Sequence, residues 1–331
     1  MRIFSGIQPT GRKHLGNYIG AIRQYVDGQD RGDPAIYCIV DLHATSVSYD
    51  PLSLPRYTYD TAAMLMAAGL DPARCILFRQ SDVHEHTELC WLLASVTAHG
   101  DLNRMHQFKD KSATQRELLS AALFLYPVLM AADVLAYKAH EVPVGDDQRQ
   151  HVELMRDIAA RFNAAHGDVL VLPEHRIPAA GARIMDLQDP TRKMSTTGSE
   201  ERGLVFVDDD EKAILKKVKS AVTDSGSEVR RGPDKAGVSN LIEILAVVRG
   251  VDHSDIEQEF EGRGYGDFKT AVGEAVAEYL RPVRELYAAV RADEAELERV
   301  LAEGADRARA IASETLAEVR AAMGIGAPTS E

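Results

Sequence analysis

Apolar and polar positions change rhythm twice within the first thirty residues. Ile3 and Phe4 lead into a segment carrying Gly6, Pro9, Thr10 and Gly11, after which Tyr18, Ile22, Tyr25 and Val26 recur at helical spacing. The pattern predicts a strand, a glycine-rich loop and a helix N-terminus. Free backbone N–H groups and the positive end of the helix dipole suit a phosphate there. The segment lacks the lysine spacing of a P-loop and the three-glycine dinucleotide fingerprint. A strand–helix corner with no ligand fits the same rhythm.

The apolar run at 34–40 ends at Asp41, as in a buried parallel strand, and makes Asp41, His43 and Thr45 candidate site-lining positions. Residues 55–69 read as a helix closed by Gly69, and 75–78 as a second buried strand. Residues 87–98, with Trp91, predict a helix, and 99–112 a basic surface loop. Two helical stretches are expected over 114–139, separated at Tyr126-Pro127. A short strand at 141–145, a helix from Asp146 to about Asn163 and a strand at 169–172 follow. Strand–helix–strand alternation argues for an α/β chain with an open parallel sheet. From about Asp208 the rhythm is helical only, near 212–219, 237–249, 253–260, 267–290 and 293–323, with a kink expected at Pro282.

With 331 residues the chain has length for about two domains, and 45% hydrophobic with 27% charged residues is a globular composition. No run approaches the roughly 20 apolar residues of a membrane span, and residues 1–20 lack the features of a signal peptide, so a cytoplasmic location is expected. Cys38, Cys75 and Cys90 form no CxxC pair and are expected to be small buried side chains. A net charge of −13 repels polyanions overall, so RNA would need local patches such as Lys212, Lys216, Lys217 and Lys219, or Arg230, Arg231 and Lys235.

Three features ask for chemistry. Asp133 sits in an apolar stretch, where a buried carboxylate must be satisfied by a neighbouring donor or by a ligand N–H. His84, Glu85, His86 and Glu88 resemble metal ligands, but on one helix His84 and His86 would diverge. The loop over 189–199 carries Arg192 and Lys193 with four hydroxyls and a glycine, a composition for a mobile phosphate clamp or a plain linker.

His14-Leu15-Gly16-Asn17 resembles the HIGH signature of class I aminoacyl-tRNA synthetases, and Lys193-Met194-Ser195-Thr196-Thr197 their KMSKS loop. The segments at 4–11, 16–21, 126–133, 144–148, 181–185 and 220–225 are similar to those of the bacterial tryptophanyl branch, in order and over essentially the whole chain. The resemblance implies a Rossmann-like parallel-sheet nucleotide-binding domain over 1–207, holding ATP and tryptophan. It also implies a C-terminal all-helical domain over 208–331 that recognises the tRNA anticodon and packs back on the first.

By that resemblance Asp133 would accept the indole N–H, Phe4, His43, Met130 and Val142 would line the indole pocket, and Tyr126 and Gln148 would hold the ammonium end. ATP would be cradled by Gln8, Pro9, Thr10, His14, Gly16 and Asn17, with Gly145, Asp146 and Asp147 at the ribose and Ile184 at adenine. Lys193, Met194, Ser195, Thr196 and Thr197 would meet the pyrophosphate side, and Lys193, Ser195, Thr196, Thr197 and Asn17 are the catalytic candidates. The implied partners are L-tryptophan, ATP with Mg²⁺ held by its phosphates, tRNA(Trp) and a second copy of the chain. A tyrosyl enzyme and a non-charging regulatory paralogue are the alternatives. Two departures stand out: Asn17 replaces a signature histidine, as in the tryptophanyl branch, and Thr196 replaces the second lysine of the KMSKS loop.

Overall fold

Five strands, β1 (Ile3–Ile7), β2 (Ala35–Ile39), β3 (Ile76–Arg79), β4 (Glu141–Pro143) and β5 (Glu174–Arg176), form a parallel sheet in the order β3-β2-β1-β4-β5. The computed structural model describes residues 1–105, 120–145, 148–176, 183–196 and 198–326. β1 lies in register with β2 from Ile3↔Ala35 to Ile7↔Ile39, and on its other edge pairs with β4. The strand order reverses its direction of growth at β1, so the crevice beyond the carboxyl ends of β1 and β4 is the switch point of the sheet. Every residue of β2 is buried, which explains its unbroken apolar run.

The chain divides into two compact units. The first comprises Met1–Gly11, Tyr25–Pro178 and Asp293–Glu331; the second comprises Arg12–Gln24 and Ala179–Ala292. Every described element beyond 208 is helical, yet the division does not fall at 207/208. The last helix, Glu294–Ala322, belongs with the sheet, and 183–207 group with the helices Glu211–Lys219, Ala236–Arg249, His253–Glu259 and Tyr265–Arg291. In the first unit the last helix lies so close to β3 that a Cβ on Gly304 would come within 1.8 Å of the Leu77 carbonyl oxygen.

Several elements depart from the expected pattern. The helix Ala121–Leu135 continues through Pro127 instead of breaking there. Proline forfeits one bond to the carbonyl of Leu123, but Leu123, Val128, Ala131 and Ala132 are fully buried around it, and packing outweighs that loss. β5 starts at Glu174, not at 169–172, because Asn163 takes the 169–170 backbone for itself. Its Oδ1 accepts from the N–H groups of Val169 (3.2 Å) and Leu170 (2.9 Å), and its Nδ2 donates to Leu170 O (2.8 Å). Residues 99–104, expected as loop, form the helix His99–Arg104, whose Asp101 pairs with Arg161 at 2.6 Å. The rest of that basic loop through Ser112 lies outside the described residues, apart from Met105. The Tyr265–Arg291 helix runs on through Pro282.

Candidate functional site

Asp133 explains itself through its neighbours in the first unit. It is 2% exposed, and three side chains hold its carboxylate. Gln80 Nε2 donates to Oδ1 at 2.7 Å, His86 Nδ1 lies 2.6 Å from the same oxygen, and His43 Nε2 lies 2.8 Å from Oδ2. Burial alone would raise the Asp133 pKa, but hydrogen bonds from His43 and His86 hold it well below the usual carboxylate range. An ionised carboxylate only accepts, so both imidazoles present N–H groups to it. The Tyr137 hydroxyl sits 2.6 Å from His86 Nε2; burial pushes its pKa far up, so it stays protonated and can donate to that nitrogen.

The parallel sheet makes this meeting possible. His43 follows β2 on the short helix Asp41–Ala44, and Gln80 follows β3 directly. The two strand ends are tied together, since Leu42 N–H donates to Gln80 Oε1 (3.1 Å) and Ser81 donates to Asp41 through N (2.9 Å) and Oγ (2.5 Å). A cavity of about 240 Å³ opens beside His43, walled by Leu42, Cys90, Leu125, Tyr126 and Leu129 among others. Tyr126 stands edge-on to His43 at 6.4 Å, and its hydroxyl lies 2.9 Å from His151 Nε2. Burial raises the Tyr126 pKa to about 12, so this phenol remains neutral.

The second unit assembles the two signature segments. Leu15 N–H donates to Val205 O (2.8 Å) and Val207 N–H to Lys13 O (2.9 Å), so the HLGN segment pairs with 205–207. Arg12 (4.1 Å) and Lys217 (4.8 Å) stack on Phe206 while both pair with Asp209, at 2.9 Å and 2.7 Å. The Lys193 loop is carried on two short arms, with Met194 N–H donating to Ile184 O (3.0 Å) and Asp186 N–H to Arg192 O (2.9 Å). A Cβ on Gly16 would lie 3.6 Å from Met194 Cβ and 3.1 Å from the His14 ring. The contact with Met194 is ordinary packing, whereas the His14 ring would have to give way, so glycine spares the His14 cap. Asn17 completes a capping box, accepting from His14 N–H at 3.2 Å, while its own N–H donates to His14 Nδ1 at 3.2 Å. A π-helical turn, Tyr18–Ile22, follows at once.

Burial lowers the His14 pKa to about 4, and the charges of Lys13 and Lys193 push the same way. Between about pH 6.5 and that value the unfolded chain therefore binds more protons than the folded one. The stabilisation from neutral His14 is complete above the unfolded pKa and is lost as pH falls, by roughly 3 kcal/mol in all. His14→Asn, which can still cap the helix start, should flatten this dependence. Urea midpoints at about pH 7 and pH 5 measure it. An unchanged slope would remove His14 as its source.

This chain matches the family described as tRNA synthetases class I (W and Y) over residues 1–281. The chain belongs to that family. It is 48% identical over 325 residues to a tryptophan–tRNA ligase of Wolinella succinogenes, covering 98% of each chain. Its fold is similar to the crystal structure of a tryptophanyl-tRNA synthetase from Mycoplasma pneumoniae, at TM-score 0.89 and 33% identity, with 98% of each chain covered. It is also similar to the Campylobacter jejuni enzyme complexed with ADP and tryptophan, at TM-score 0.86 and 35% identity, covering 98% of this chain and all of that one.

Of the residues named from sequence, Asp133 and His43 are bonded to each other, and His43 and Tyr126 share the cavity wall. Phe4 and Val142 are buried in the hydrophobic core, against which Met130 packs, and Phe4 stacks on Tyr137 at 5.4 Å. Gln8, Pro9 and Thr10 follow β1, while Gly145 and Gln148 follow the adjacent β4; Gln148 N–H donates to Gly145 O at 2.9 Å. His14, Gly16, Asn17, Ile184, Lys193, Met194, Ser195 and Thr196 belong to the second unit, where Ile184 and Met194 are buried and Lys193 and Thr196 are exposed. Asp146, Asp147 and Thr197 lie outside the described residues.

Sequence reasoning assigned no role to Gln80, Tyr137 or His151, and treated His86 only as an improbable metal ligand. Among His84, Glu85, His86 and Glu88 the structure gives separate partners: His86 to Asp133, Glu85 to Ser313 (2.5 Å), Glu88 to Arg320 (3.0 Å). Among the described residues no group of three or more His, Cys, Asp or Glu side chains is placed to hold a metal ion. Among them, too, no helix is long and apolar enough to cross a membrane.

Proposed function

We propose that this chain is a tryptophan–tRNA ligase, which activates L-tryptophan with ATP and passes it to tRNA(Trp). What carries this reading is the 48% identity to a tryptophan–tRNA ligase across essentially the full length of both chains. The site agrees in chemistry: a buried, ionised Asp133 is bonded to His43, which lines a small, largely apolar cavity, and is the kind of acceptor an indole N–H requires. In this reading the tryptophan side chain enters beside His43 and Tyr126, with Phe4, Met130 and Val142 behind it and Gln148 toward its ammonium group.

One oxygen of the tryptophan carboxylate attacks the α-phosphorus of ATP. As that bond forms, the bond from the α-phosphorus to the bridging oxygen breaks and its electron pair leaves with pyrophosphate. Carboxylates are ionised at neutral pH, so no base is needed. The work is positioning and stabilisation of charge on the phosphates. Lys193, Ser195, Thr196 and Thr197 are assigned to the pyrophosphate, and Gln8, Pro9, Thr10, His14, Gly16 and Asn17 to the remainder of the triphosphate. Gly145, Asp146 and Asp147 are assigned to the ribose and Ile184 to adenine. Mg²⁺, carried on the phosphates, would add charge neutralisation. The terminal ribose hydroxyl of tRNA, bound partly by the basic helix Glu211–Lys219, then attacks the acyl carbon of the adenylate; the bond from that carbon to the phosphate oxygen breaks, AMP leaves with the electron pair, and the hydroxyl proton is given up as the ester forms. A cytoplasmic homodimer completes the proposal.

Amino-acid-dependent ATP–pyrophosphate exchange, run side by side with tryptophan and tyrosine and followed by tRNA charging, tests the reading. Tryptophan alone should support both. Exchange with tyrosine would make it a tyrosyl enzyme, and binding of tryptophan without exchange a regulatory protein. Thr196 is the residue that favours asking the last question, because a threonine brings no charge to the pyrophosphate. Thr196→Lys is expected to leave the exchange rate equal or raise it by up to about tenfold, one charge-assisted contact's worth. A collapse of exchange would show that the loop works by another route.

A further inference from the structure

The two oxygens of Asp133 are unequally used. Oδ1 accepts from both Gln80 (2.7 Å) and His86 (2.6 Å), which occupies its two lone pairs. Oδ2 meets His43 alone among these side chains, at 2.8 Å, and His43 in turn lines the cavity. Two donors converging on one oxygen also fix the plane of the carboxylate. Each of those donors is itself held. Leu42 N–H grips Gln80 Oε1 at 3.1 Å, which orients its amide so that the NH₂ faces Asp133. The Tyr137 hydroxyl meets His86 Nε2 at 2.6 Å, which sets the imidazole tautomer with its proton on Nδ1. Tyr137 is fully buried and stacked on Phe4 with only 12° between the ring planes, so its hydroxyl has little room to move.

We infer that Gln80, His86 and Tyr137 are a positioning set that aims Asp133 Oδ2 at a ligand N–H, and so sets selectivity for a heteroaromatic ring bearing that N–H over an isosteric ring without it. This deepens the reading of tryptophan as substrate and rests on it. None of the three touches the ligand. Their effect passes through Asp133, as outer residues act on the groups they orient. The same arrangement disfavours a phenol. A phenol oxygen that donates to Oδ2 still has lone pairs to satisfy, and the nearest N–H groups of His43, His86 and Gln80 are already committed to the carboxylate.

The test is ATP–pyrophosphate exchange by the full-length chain with L-tryptophan and with its analogue in which sulfur replaces the ring N–H. The ratio of the two kcat/KM values is the readout. Wild type should prefer tryptophan. His86→Leu should lower that preference about tenfold, the loss expected from one misaligned charge-assisted bond, through the KM for tryptophan with little change for the analogue. His86→Asn, whose amide N–H can replace Nδ1–H, should restore most of it. Tyr137→Phe removes a single oxygen and should reduce the preference by about threefold, so the inference remains testable if His86→Leu does not fold. Variants that lower both substrates alike, leaving the ratio unchanged, would overturn the positioning role and leave tryptophan as substrate. A wild type with no preference between the substrates would overturn the assignment of Asp133 to the indole, and this inference with it.

Discussion

Gly304→Ala should destabilise the chain by about 3 kcal/mol or more, among the largest effects of any single methyl group in it. A Cβ at this position meets the Leu77 carbonyl oxygen at 1.8 Å and its carbon at 2.7 Å. Neither is the end of a flexible side chain. The methyl can be accommodated only if the 294–322 helix lifts away from β3, which would strain the ties between them. Those ties include Arg79 with Glu298 at 3.0 Å and Arg307 with the carbonyls of Pro72 (2.8 Å) and Cys75 (2.9 Å). Gly266 is the control. It lies in the first turn of a helix with nothing within 4 Å of its added Cβ, so Gly266→Ala should be neutral or stabilising by up to about 1 kcal/mol. Thermal and urea midpoints of both variants decide the matter. A Gly304→Ala midpoint matching wild type would mean that the helix does not press on β3 as described.

Asp133→Asn separates fold from function at the centre of the first unit. Asparagine can keep its oxygen toward Gln80 and His86. Its amide can donate to His43 Nε2 if that imidazole presents a lone pair, a change of tautomer that costs little. The buried cluster stays satisfied, so the melting temperature should remain within a few degrees of wild type, about 1 kcal/mol or less. What disappears is the charged acceptor Oδ2 beside His43, because an NH₂ group now stands in its place. Tryptophan-dependent exchange should fall by about a hundredfold in kcat/KM, since an indole N–H would meet a donor instead of a charged acceptor. Exchange within fivefold of wild type would sink the assignment of Asp133 to the indole. A large drop in melting temperature would instead mean that the carboxylate charge is needed by the two histidines themselves.

These effects differ in how far ahead of the structure they could be seen. Asp133 was visible as an anomaly because a carboxylate in an apolar helix must find partners. Which partners it finds was not visible. His43, Gln80 and His86 lie far from it along the chain and are gathered by the ends of β2 and β3 together with the helix Glu85–Ala94. Periodicity says which side of a helix is buried; it does not say what stands opposite. The same limit explains the elements that moved. Asn163 removes 169–170 from the sheet by a side-chain bond no propensity anticipates, and burial carries the 121–135 helix past Pro127.

By itself the sequence determined the parallel strands β1 to β3, the helical character beyond 208 and the two signature segments, because each is written in local spacing and residue type. Tertiary structure alone decided where the chain divides. It set the pairing of 13–15 with 205–207, and Arg12 with Lys217 on Asp209, so that the division expected at 207/208 would part the first signature segment from the helix Glu211–Lys219 with which it groups. It also decided that Oδ1 of Asp133 meets both Gln80 and His86 while Oδ2 meets His43. Such an outcome depends on angles and distances among residues remote in sequence, which hydrophobic rhythm does not encode.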